Sequence, residues 1–169
     1  MKPVWLTEAE KYIGLKEIAG PKNNATVVDF WKRIHLSGIS NDEIPWCAAF
    51  VGAVLENCGY NSTRSGLAKS YLNYGTQQTT PTLGSIVVFS RTGGGHVGFV
   101  VGKDKAGNIF VLGGNQSDAV NVKKFTTQHV VGYRWLDAKV AQIATPVLDR
   151  KSTRLNSSHI PLSRMPSSA

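Results

Sequence analysis

A chain of 169 residues that is 41% hydrophobic and 18% charged has ordinary globular usage, which excludes a disordered or membrane-like protein and suggests one domain able to bury a core. No apolar run reaches the roughly 18 residues of a transmembrane helix, and Met1-Lys2-Pro3-Val4-Trp5-Leu6-Thr7-Glu8 lacks the apolar stretch of a secretory leader. Of the net charge of +8, Arg150, Lys151, Arg154 and Arg164 against Asp149 supply +3, leaving a modestly basic +5 for residues 1–148. Such a domain is drawn to polyanions in general, and no basic stripe interleaved with aromatics singles out nucleic acid.

Helical signals fill the first half. Thr7 with Glu10 is a capping-box pattern that predicts a helix from Glu8 to about Leu15. Val27, Val28, Phe30, Trp31 and Ile34 predict a second, amphipathic helix ending near His35. Pro45 suits a first helical turn and opens a third, which runs through Trp46-Cys47-Ala48-Ala49-Phe50-Val51 to a stop at Gly59. Apolar residues lie all round it, so it is expected as a buried central helix. Leu67 to Tyr74, closed by Gly75, is a fourth.

From Pro81 the period changes. Ile86–Phe89, Val97–Val101, Ile109–Leu112, Val120–Val122 and Val130–Trp135 are short, β-branched and aromatic, separated by Gly, Asp, Asn and Lys clusters, and read as five antiparallel strands. Helices first and strands second predict an α+β domain over residues 1–148, a curved sheet packed on the central helix.

Cys47 falls in the first turn of that helix, where unpaired N–H groups and the dipole favour the nucleophilic thiolate; the plainer alternative is a small buried hydrophobe. Cys58 lies eleven residues on, roughly 16 Å along a helix and beyond the roughly 7 Å a disulfide spans. Two independent thiols are expected, Cys58 as inert packing, as suits a reducing cytosol. His96 follows Gly93-Gly94-Gly95 at the mouth of a strand, whereas His35 and His129 read as loop histidines. If strands 96–101 and 109–114 form a hairpin, Asn115 lands beside His96, where its carbonyl would hold the imidazole tautomer in a Cys-His-Asn arrangement; a turn asparagine after Gly-Gly is the alternative. No metal-type Cys/His spacing, phosphate loop or Ser-His-Asp pattern competes, and no cofactor is expected.

Residues 149–169 change character. Asp149-Arg150-Lys151-Ser152-Thr153-Arg154-Leu155-Asn156-Ser157-Ser158-His159 and Ser163-Arg164-Met165-Pro166-Ser167-Ser168-Ala169 resemble, codon for codon, the translation of a short-read sequencing adapter, with Ile160-Pro161-Leu162 on its variable index. A non-native, disordered tail is expected there.

Pro45-Trp46-Cys47-Ala48-Ala49-Phe50-Val51, Gly95-His96-Val97-Gly98-Phe99-Val100 and Leu112-Gly113-Gly114-Asn115-Gln116 resemble the papain-like cell-wall hydrolases of the CHAP and NlpC type. Phage and prophage members with an opening like Gly14-Leu15-Lys16-Glu17-Ile18-Ala19-Gly20-Pro21-Lys22-Asn23-Asn24 are the nearest in pattern, and the resemblance spans nearly all of residues 5–135. It implies a papain-like fold, nucleophile Cys47, base His96, orienting Asn115 and peptidoglycan peptides as substrate. Many CHAP domains carry a glutamate two positions before the asparagine; Gly113 stands there, so any role of that glutamate is unassigned. The Cys47 backbone N–H is an expected oxyanion donor. Trp46, Asp42, Glu43 and Gln116 are cleft candidates, with a solvated loop the plainer reading for both carboxylates and core packing for Trp46 and Tyr71. A monomer is expected, made in the cytoplasm without a leader and acting on the wall after release or export. The alternatives are a peptidase, deamidase or acyltransferase of the same fold acting on proteins, and a non-catalytic wall-binding or phage structural module.

Overall fold

The computed structural model describes residues 2–18, 23–36, 38, 45–138 and 140–141. Asp42, Glu43 and the tail 149–169 lie outside these residues.

The first helix, α1 (Val4–Glu10), begins at Val4, four residues ahead of the expected start, and Thr7 sits inside it. Packing overrides the capping box: Trp5, Leu6 and Ala9 are buried, and the Trp5 indole N–H donates to the Gly84 carbonyl at 2.8 Å while its ring meets Trp135 edge-on. Helix α2 (Ala25–Arg33) is capped by Asn24, whose Oδ1 accepts from the N–H groups of Thr26 and Val27. Helix α3 (Cys47–Asn57) starts after Pro45, and its residues from Cys47 to Leu55 are all buried, as an apolar helix requires. The expected fourth helix is a short 3-10 segment, Ala68–Asn73.

Six antiparallel strands follow: β1 (Thr76–Gln78), β2 (Ile86–Arg91), β3 (Gly94–Lys103), β4 (Ile109–Gly113), β5 (Asn121–Phe125) and β6 (Val130–Trp135), in the order β1-β6-β2-β3-β4-β5. The sheet and the helices make the expected α+β architecture, consistent with a papain-like fold. The extra strand, β1, is Thr-Gln-Gln, too short and polar to show an apolar period, and exists by pairing with β6. The glycines before His96 are not a loop. Thr92-Gly93 makes a tight β2–β3 turn with Gly93 at φ 84°, and Gly94 and Gly95 are already in β3, opposite Arg91 and Ser90.

Alternation along β3 sorts its side chains between two layers. Val97, Phe99 and Val101 join α3 in the main core, whereas Val100 belongs to a second cluster with Val87, Phe89, Ile109 and Val111. His96 shares that second face, its ring beside Phe89 and Phe125. Beyond β4 the chain lies flat against the start of α3. A Cβ at Gly114 would come within 2.7 Å of Phe50 Cβ and 2.8 Å of Trp46 Cζ3. Gly114→Ala is therefore predicted to cost about 1–3 kcal/mol by overpacking, read as a lowered urea midpoint with unchanged slope; an unmoved midpoint would contradict this close approach.

Candidate active site

Cys47 is the first residue of α3, so its own N–H and that of Ala48 have no intrahelical acceptor, and both bear on the sulfur. A third N–H comes from outside the helix: Val97, the residue after His96 in β3. These donors and the Arg91 guanidinium favour the thiolate, but burial outweighs them. Cys47 is 6% exposed and its pKa is raised. The expectation of a thiolate at the helix start is thus corrected: the resting group is a thiol. Both cysteines are free. Cys58, at the other end of the helix, is pushed up to about 12 by burial and by Glu8, as suits an inert thiol.

His96 is 1% exposed. Burial lowers its pKa to about 4; the hydrogen bond to Gln116 opposes the shift, and Arg91 and Lys123 add to it. The resting imidazole is neutral. Its Nε2 lies 2.9 Å from Gln116 Oε1, and its Nδ1 is buried with no hydrogen-bond partner among the described residues. No hydrogen bond joins the Cys47 sulfur to the ring, but the Val97 N–H brings the sulfur to within one residue of His96 along β3. Such contacts commonly tighten only with substrate bound.

Asn115 does not hold the imidazole. Counting on from the pair Phe99↔Leu112 puts Asn115 opposite His96, but the β3–β4 ladder ends at that pair. Asn115 then takes a left-handed φ of 57°, which turns the chain and sends the next side chain, Gln116, back under the sheet to His96. Gln116 is 3% exposed. The only signal for it in the sequence is its place beside an asparagine after Gly-Gly, a residue type that tolerates the left-handed region. Gly113 makes the room, since a Cβ there would come within 2.4 Å of Gln116 Oε1 and 3.4 Å of His96 Nε2.

Trp46 is fully buried, its indole N–H donating to Glu17 Oε2 at 3.0 Å, so it is core and not cleft lining; Tyr71 is buried too. His35 and His129 are exposed. A cavity of about 160 Å³ opens beside His96 between Phe89 and Phe125, with Arg91 and His129 at its rim. Among the described residues no cluster of His, Cys, Asp and Glu is built to hold a metal, and no helix is long and apolar enough to cross a membrane.

Residues 39–115 match the family model of the CHAP domain, a span that holds Cys47 and His96 and stops one residue short of Gln116. No curated protein matches the chain.

The buried neutral imidazole makes stability depend on pH. An unfolded histidine titrates near 6.5, whereas His96 in the fold titrates near 4. Between those values the unfolded chain binds more protons, so stability is full above about pH 6.5 and falls as pH drops toward 4, by about 3 kcal/mol. Denaturant unfolding across that range is predicted to show this slope, and His96→Phe to flatten it; parallel profiles would refute the assignment.

Proposed function

We propose that this chain hydrolyses peptidoglycan with Cys47 as nucleophile and His96 as base, a reading supported by the match of residues 39–115 to the CHAP domain model. The observation that carries the reading is the Val97 N–H at the Cys47 sulfur, which sets a thiol at a helix start next to the histidine strand.

Because burial disfavours both charged forms, the resting pair is thiol and imidazole. Proton transfer then accompanies attack and does not precede it. As the sulfur bonds to the substrate carbonyl carbon, His96 takes the thiol proton and the carbonyl π electrons move to oxygen. Stabilisation of that oxyanion falls to the Cys47 backbone N–H, which has no intrahelical acceptor at the start of α3. Collapse of the intermediate breaks the C–N bond, and the imidazolium protonates the departing amine. Water, deprotonated by His96, next attacks the thioester, giving a carboxylic acid and the free thiol. The Arg91 side chain, exposed at the rim of the cavity beside His96, favours substrates with carboxylates, as stem peptides have.

The finer reading is a monomeric enzyme of endolysin type and phage or prophage origin, an endopeptidase or N-acetylmuramoyl-L-alanine amidase reaching the wall after release or export. Cys47→Ala is expected to abolish release of soluble fragments from purified peptidoglycan while leaving the thermal midpoint nearly unchanged, and Cys58→Ala to retain activity. The acid limb of kcat/KM is expected near pH 4, where His96 titrates, and not near 6.5. Undiminished fragment release by Cys47→Ala would sink the proposal.

A further inference from the structure

The side-chain amide of Gln116 is held one way round. Its nitrogen lies 2.9 Å from the Asn121 backbone oxygen, 2.9 Å from Asn121 Oδ1 and 3.2 Å from the Val111 carbonyl. Asn121 is itself anchored, its Nδ2 donating to the Gln116 backbone oxygen at 2.9 Å. Three acceptors around one amide nitrogen leave no place there for an oxygen, so the carbonyl must point the other way, at His96 Nε2. A carbonyl only accepts. The proton of the neutral imidazole therefore sits on Nε2, and Nδ1, buried and without a partner among the described residues, carries the lone pair.

We propose that Gln116 is the positioning residue of this active site: its carbonyl fixes the Nε2–H tautomer of His96 and so presents Nδ1 as the base for Cys47. The proposal rests on the reading of His96 as that base. It also accounts for Gly113. A side chain at 113 would take the space of the Gln116 carbonyl, so a glutamate at 113 and a glutamine at 116 exclude one another. A glutamate at 116 would fare badly too, since its second oxygen would face three acceptors with no proton between them. The neutral amide, moreover, orients the ring without the stabilisation that an anion would give the imidazolium. The charged or titratable groups that face the ring are Arg91 on β2, Lys123 on β5 and, across the cavity, His129; Arg91 and Lys123 both disfavour protonation.

The test is a nitrogen-15 NMR record of the histidine side chains in the whole chain near neutral pH, with His96→Phe assigning the His96 signals. Wild type is expected to show His96 protonated on Nε2 and bare on Nδ1. Gln116→Met keeps the length but cannot accept this bond as an amide does. It is expected to shift His96 toward the Nδ1–H form and to lower kcat on peptidoglycan fragments about 10- to 100-fold, the scale of losing an orienting bond to a histidine, with KM little changed. Gly113→Ala, which keeps Gln116 but displaces its oxygen, is expected to act in the same direction and serves if Gln116→Met does not fold. A wild-type His96 protonated on Nδ1, or variants that fold and keep the Nε2–H form, would overturn the proposal. Should the tautomer respond as expected in a wild-type protein that does not cut peptidoglycan, the positioning role stands and the proposed function fails.

Discussion

A helix without a polar face must be covered on every side, and the covering of α3 governs the rest of this molecule. Helix α2 lies on one flank, close enough that a Cβ at Gly52 would strike Ile34 Cγ2 at 2.5 Å. The inner face of the sheet supplies Val97, Phe99 and Val101 on another. The chain beyond β4 closes over Trp46 and Phe50 near the first turn. Because the helix starts beneath β3, its first residue meets the backbone of the strand that carries His96 on its opposite face. The Cys47 thiol and the His96 ring thus belong to different layers, linked through the β3 backbone at Val97.

The same covering sets the electrostatics. Free N–H groups at the start of α3 act as the helix end should, yet they are outweighed by the loss of water around the sulfur. Burial works in opposite senses on an acid and a base: the thiol keeps its proton and the imidazole sheds its own. A site of this kind stores no ion pair at rest. On the proposed mechanism, charge separation would arise only as substrate is attacked, where fixed donors are of most use.

What the sequence disclosed follows from how local each signal was. The apolar run from Ala48 to Leu55 needs no partner to announce burial, and Val97 to Val101 or Ile109 to Leu112 announce strands by composition alone. Where the outcome hung on tertiary contact, local rules fell short. Thr7 and Glu10 spell a cap, but Trp5 and Leu6 were worth burying, so α1 starts earlier. Thr76-Gln77-Gln78 has no strand signal and is a strand because β6 offers it an edge. The hairpin count that set Asn115 opposite His96 was sound, but a left-handed turn at Asn115 is invisible to counting and brings the next amide, that of Gln116, to the ring.

The sheet is open, and its two margins are of unlike make. One ends in three-residue β1; the other is β5, which carries Lys123 and Lys124. Short or lysine-bearing borders are poor templates for strand addition. Crowding many copies together, as on a polymeric surface that gathers basic proteins, therefore carries little risk of edge-to-edge aggregation.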